Sequence, residues 1–65
     1  MDISINRQAL TLPEGATLAE AVAAFGAQPP FAVALNGEFV ARGRHASVTL
    51  VAGDAVDVVH PVAGG

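Results

Sequence analysis

Thr17-Leu18-Ala19-Glu20-Ala21-Val22-Ala23-Ala24-Phe25-Gly26 decides the fold, because it carries the start, the stripe and the stop of a single helix. Thr17 and Glu20 have the spacing of a capping box: the Thr hydroxyl accepts from the Glu20 amide while the Glu20 carboxylate reaches back to the Thr17 N–H. Leu18, Ala21, Val22 and Phe25 fall at i, i+3, i+4 and i+7, which puts one apolar stripe on one face. The alanines around them raise helix propensity. Gly26 suits the left-handed residue after the last turn, and Pro29-Pro30 prevents the helix from resuming. A helix of about eight or nine residues with one apolar face needs a sheet to lie on.

The flanking segments supply that sheet. Upstream, Met1-Asp2-Ile3-Ser4-Ile5-Asn6 alternates strictly, with Ile3 and Ile5 on one face, as a half-buried strand does. Asn6-Arg7 can turn, and Ala9-Leu10-Thr11-Leu12 repeats the pattern, so the two runs make a hairpin that Pro13-Glu14-Gly15 ends. Downstream, Phe31-Ala32-Val33-Ala34-Leu35 places large side chains on one face and alanines on the other. Asn36-Gly37 is a strong hairpin signal, so Glu38-Phe39-Val40-Ala41-Arg42 pairs back against it. The spacing then predicts a loop over Gly43 to Ser47, an extended piece at Val48-Thr49-Leu50 and a turn at Gly53-Asp54. A last strand follows over Ala55 to His60, with Val56 and Val58 inward, and Pro61 ends its pairing. Strand, strand, helix, strand, strand, strand implies an α+β fold: a mixed sheet of four to five strands with one helix across one face. The last strand is expected beside the first, in the middle of the sheet. The face away from the helix should then leave Ala32, Ala34 and Val59 open to a partner.

Composition narrows the function. The chain has 65 residues, 52% of them hydrophobic and 14% charged, which is too apolar for disorder and short enough for one small domain, residues 1–65. No apolar run approaches the roughly 20 residues that cross a bilayer, and no basic segment precedes an apolar stretch at the start, so a cytoplasmic protein without a membrane role is expected. The net charge is −3 and the only basic residues are Arg7, Arg42 and Arg44, which leaves no positive stripe for nucleic acid. The absence of cysteine excludes thiolate metal sites and a thiol nucleophile. The absence of lysine closes self-conjugation through a lysine amine.

Chemistry is expected at the end of the chain. Val62-Ala63-Gly64-Gly65 follows the last strand, and residues 61–65 read as a flexible tail. Two glycines without Cβ atoms can thread a narrow cleft in a partner and present the Gly65 carboxylate there. A tail held by a central strand loses less freedom on insertion, since ordering costs about 1–2 kcal/mol per residue.

Val33-Ala34-Leu35-Asn36-Gly37-Glu38 with Arg42 after it, the Gly53-Asp54 turn before a valine-rich strand, and the segment Leu12-Pro13-Glu14-Gly15-Ala16-Thr17-Leu18 together resemble the ThiS family, sulfur carriers of thiamine biosynthesis. The closing Gly64-Gly65 belongs to the same pattern, and the resemblance covers nearly the whole chain. It implies a ubiquitin-like β-grasp fold, in agreement with the element order. It also implies that a ThiF-type adenylyltransferase uses ATP to turn the Gly65 carboxylate into an acyl-adenylate. A sulfur donor relay then gives a Gly65 thiocarboxylate, and a ThiG-type thiazole synthase takes up the sulfur. Gly43 lacks the spacing of a phosphate-binding loop and no lysine exists to reach a phosphate, so no cofactor is expected on this chain and ATP belongs to the partner. His45 stands where many relatives carry an aromatic residue. Val59-His60-Pro61-Val62-Ala63 is similar to the tails of molybdopterin-synthase small subunits, which keeps that pathway as an alternative. A ubiquitin-like modifier and an interaction module with an inert tail are the others.

Individual side chains offer little catalysis. His45 and His60 lack a His-x-x-x-His spacing and read as surface histidines, not a metal site. Ser47, His45 and Asp54 would make a nucleophilic triad only with an oxyanion hole that nothing here supplies. The protein is therefore expected to be a co-substrate and not an enzyme. Arg42 and Arg44 are candidates for an acidic partner surface, against a plain solvated loop. Glu20, Glu38, Asp54 and Asp57 could meet a basic groove, although Glu20 is already a cap and Asp54 a turn residue.

Overall fold

The computed structural model describes residues 1–61; Val62, Ala63, Gly64 and Gly65, on which the terminal chemistry is expected, lie outside the described residues. The elements are β1 (Asp2–Ile5), β2 (Gln8–Thr11), α1 (Leu18–Phe25), β3 (Ala32–Leu35), β4 (Glu38–Val40), a 3-10 helix (Arg42–Ser47) and β5 (Ala55–Val59). The five strands form one sheet in the order β2-β1-β5-β3-β4. β5 runs parallel to β1 and antiparallel to β3, and the two hairpins β1–β2 and β3–β4 flank it. The last strand is thus the central one, as the element order implies, and the sheet is mixed with one helix across it. This is the β-grasp arrangement.

Each hairpin turns through residues that accept positive φ. Asn6 (φ 49°) and Arg7 (φ 67°) join β1 to β2, and Asn36 (φ 50°) and Gly37 (φ 86°) join β3 to β4. Turns with two left-handed residues match the right-handed twist of the strands they connect. The registers that follow put one side chain set inward: Ile3 faces Leu10 across β1–β2, and Val33 sits between Val58 and Val40.

α1 forms as its signals require. Thr17 Oγ1 accepts from the Glu20 amide at 3.2 Å, and the Thr17 amide donates to Glu20 Oε1 at 3.2 Å, completing the capping box. At the other end Gly26 is left-handed and donates to Val22 and Ala23 carbonyls. Leu18, Ala21 and Val22 are buried against Ile3, Ile5, Val33, Val56 and Val58 of the sheet, with Leu12 and Leu50 closing the core. Each fully buried Leu, Ile or Val contributes about 1.5–3 kcal/mol by leaving water.

The stretch expected as a loop over 43–47 is instead a 3-10 helix, Arg42–Ser47, packed against α1. Its backbone turns locally, with the Arg44 amide on the Ala41 carbonyl at 2.9 Å and Ser47 Oγ donating to the Arg44 carbonyl at 3.0 Å. A piece this short carries no apolar period of its own, and contact with α1 selects its conformation. Beyond it, Leu18 donates to the Val48 carbonyl and Leu50 to the Ala16 carbonyl, each at 2.9 Å, which draws the extended segment under the start of α1 and buries Leu50.

Candidate functional site

The described part of the candidate site is the root of the tail and the sheet face beside it. β5 has β1 on one side and β3 on the other, so the chain arrives at His60 and Pro61 from the best-anchored strand of the sheet. The backbone ladder to β1 runs through the Ser4 amide on the Asp54 carbonyl and the Asn6 amide on the Val56 carbonyl, both at 2.9 Å. On the β3 side pairing continues through Val33–Val58 to Ala32–Val59.

The open face presents the expected residues. Ala32 is exposed, Ala34 is half-buried and Val59 is 60% exposed. Ala32 pairs with Val59, so both stand on the same face at the end of the sheet where the tail leaves. Phe39 is the addition: it pairs with Ala34, shares that face and is 72% exposed. The sequence places Phe39 in the strand after Asn36-Gly37 but not on a face; counting alternate positions back from the turn, with Ala34 outward, would have found it. Ala32, Ala34, Phe39 and Val59 therefore stand on one open face, which they share with the exposed Asp57 opposite Ala34.

Arg42 is exposed and follows β4, whose last residue Val40 lies opposite Val33 near the start of β3. β3 and β5 are antiparallel, so this is also the end of the sheet from which Pro61 departs. Arg44 is exposed too, but lines a shallow groove with Phe39, Val40 and Val48.

One of the two histidines differs from the expectation. His60 is exposed, but His45 is buried at 7% exposure. Its Nε2 lies 3.0 Å from the Val40 carbonyl, and since a carbonyl only accepts, that nitrogen donates. The His45 ring stacks on Phe31 with centroids 6.4 Å apart and planes 13° apart, while His60 meets the same Phe31 edge-on at 6.2 Å. An imidazole can be buried when its polar atom is satisfied and its ring packs as an aromatic. His45 and His60 therefore meet through Phe31 and not as a pair of ligands. Among the described residues no group of three or more His, Cys, Asp or Glu side chains is placed to hold a metal ion.

Ser47, His45 and Asp54 do not converge. Ser47 Oγ is on the Arg44 carbonyl, His45 on the Val40 carbonyl, and Asp54 on Asn36 and the Val51 amide. Asp54, at 8% exposure, is also withdrawn from any basic groove, whereas Glu20, Glu38 and Asp57 are exposed. The N-terminus of α1, where a helix presents free amides to an anion, already holds the Glu20 carboxylate, which accepts from the Thr17 amide. Among the described residues no helix is long and apolar enough to cross a membrane.

Comparison with known proteins follows the same lines. The ThiS family model matches residues 2–65. The fold is similar to the crystal structure of the thiamine biosynthesis protein ThiS from Geobacter metallireducens, with a TM-score of 0.83, 28% sequence identity and 100% of both chains covered. It is also similar to the NMR solution structure of a thiamine biosynthesis protein from the same organism, with a TM-score of 0.78, 28% identity, and 100% of this chain and 88% of that chain covered. No curated protein sequence matches this chain.

Proposed function

The chain belongs to the ThiS family, and from that premise we propose that it is a sulfur carrier of thiamine biosynthesis, a protein co-substrate whose Gly65 carboxylate is loaded and unloaded by other enzymes. The 65 residues act as one carrier domain with residues 61–65 as the presented tail. The observation that carries this reading is the central place of β5: the strand leading to the tail is paired with β1 over its first half and with β3 to Val59, so the tail leaves from a strand built into the sheet.

Loading needs a partner. A terminal carboxylate is ionised at neutral pH and is a poor electrophile. A ThiF-type adenylyltransferase joins it to AMP from ATP with release of pyrophosphate, and hydrosulfide (HS⁻) delivered by the donor relay then attacks the carbonyl carbon, displaces AMP and loses its proton. The product, a Gly65 thiocarboxylate, is a soft nucleophile that a ThiG-type thiazole synthase uses to build the thiazole ring. ATP is bound by the partner, and the carrier works in the cytoplasm where that nucleotide and its partners are. Val62, Ala63 and Gly64 thread the partner cleft, while Ala32, Ala34, Val59 and Arg42 dock the domain, with Phe39 added to them. The exposed apolar residues of the open face and the cation at the tail end of the sheet support that assignment. Likeness to solved thiamine biosynthesis proteins favours thiazole over molybdopterin as the destination of the sulfur.

The test is loading in vitro. Incubation of the chain with its ThiF-type enzyme, ATP and a sulfur donor, followed by intact-mass measurement, is expected to show one oxygen replaced by sulfur at Gly65. Unchanged mass alongside an enzyme proven active on another carrier rejects the reading.

A further inference from the structure

β1 ends at Ile5 because the chain turns at Asn6-Arg7 into β2, yet β5 runs on to Val59. The last backbone bond that β1 and its turn give β5 is the Asn6 amide on the Val56 carbonyl. The next inward residue of β5, Val58, would have its N–H and carbonyl on that side facing a strand that has already left. The Asn6 side chain stands in for the missing residue. Its Oδ1 accepts from the Val58 amide at 2.7 Å, and its Nδ2 donates to the Val58 carbonyl at 3.2 Å. The orientation of the amide is fixed by its partner, since an N–H only donates and a carbonyl only accepts. We propose that Asn6 is a positioning residue for the tail: by continuing the β1–β5 ladder with a side-chain amide, it moves the two-sided anchorage of β5 from Val56 to Val58, about 7 Å nearer the reacting end.

Asn36 supplies an internal comparison. It too is left-handed (φ 50°), and its Oδ1 accepts from the Ala55 amide at 2.9 Å, so the two asparagines bracket β5, one at its start and one at its end. Both are structural anchors, but only Asn6 sits where the tail begins. If Asn6 is removed, residues after Val56 are held by β3 alone, and the activating enzyme must order more chain at each encounter. That cost falls on the bound state and the transition state alike, so KM rises and kcat does not.

This inference rests on the sulfur-carrier reading, and its test separates the two. Glycine accepts the left-handed conformation without strain, so Asn6→Gly and Asn36→Gly each remove one amide and leave the turn geometry allowed. Adenylation by the ThiF-type enzyme and amide hydrogen exchange are measured on both and on the full-length parent chain. Asn6→Gly is expected to raise the KM for the carrier about tenfold at unchanged kcat, the scale of ordering one more residue. Its Val58 amide is expected to exchange at least tenfold faster while the Val33 and Ile5 amides keep their protection relative to the global stability. Asn36→Gly is expected to lose stability with KM unchanged. Asn6→Asp keeps the oxygen that accepts from Val58 but not the donor, and is expected to fall between parent and Asn6→Gly. Equal KM effects of the two glycine variants, or unaltered Val58 exchange in Asn6→Gly, overturn the proposal. A parent chain that is never adenylated overturns the carrier reading instead, while the exchange data still decide whether Asn6 anchors β5.

Discussion

Asp54 uses both carboxylate oxygens to hold the entry to β5. Oδ1 accepts from Asn36 Nδ2 at 3.0 Å and Oδ2 from the Val51 amide at 2.9 Å, while Asp54 itself is buried. Replacing it by alanine removes the one acceptor that ties the Asn36 side chain and the Val51 amide together, at about 0.5–1.5 kcal/mol for each hydrogen bond lost. Asp54→Ala is therefore expected to lower the urea midpoint clearly, while Asp57→Ala, on the exposed face, changes stability by less than about 0.5 kcal/mol. Equal effects of the two substitutions would contradict this assignment. In the sequence Asp54 reads as a turn residue, and its burial depends on Asn36, 18 positions away. His45 was hidden for a related reason. Read as polar it belongs at the surface, but Phe31 and the Val40 carbonyl take it in as an aromatic ring with one satisfied donor.

α1 is the element most fully determined locally, and its stability can be tested at its ends. Thr17→Ala removes the acceptor for the Glu20 amide and the reciprocal arm of the capping box, at a cost of about 1 kcal/mol. Gly26 (φ 84°) has open space where a side chain would go, so Gly26→Ala is opposed by backbone conformation and not by crowding, again by about 1 kcal/mol. Thermal melts followed by circular dichroism should show both variants folded with lowered Tm. A Gly26→Ala protein as stable as the parent would mean that the helix end does not need the left-handed residue. The strands tell the same story with a shorter reach. Alternation assigned Ile3, Ile5, Val33, Val56 and Val58 to the core, and all are buried. The 3-10 helix was missed because its six residues carry Gly43, two arginines and no apolar repeat, and only α1 beside it gives the turn a surface to lie on.

At the scale of the whole molecule, the helix covers one face of the sheet and leaves the other open, the face on which docking is proposed. Phe39 and Val59 are the large apolar groups on that open face, and an aspartate at either site meets solvent in the free protein. Phe39→Asp and Val59→Asp are expected to change folding stability by less than about 0.5 kcal/mol yet to raise the KM for adenylation severalfold, since a desolvated charge is costly only in the complex. Steady-state adenylation beside a urea titration checks both halves. Normal KM in both variants would move the docking surface elsewhere on the domain. Removal of Gly65 makes the complementary prediction: the core lies upstream, so the shortened chain should fold as the parent does and accept no AMP.

The order of the elements implied the central place of the last strand. Periodicity, capping spacing and turn residues are local, and by themselves they determined the helix, the two hairpins and the inward valines. Those features depend on residues a few positions apart, whose steric and hydrogen-bonding demands are met within one turn or one pair of strands. Tertiary structure alone decided the burial of His45 and Asp54 and the grip of Asn6 on Val58 across 52 positions of chain. Each of these is a contact between segments that the chain brings together only when the sheet closes, so no short window of sequence contains both of its halves.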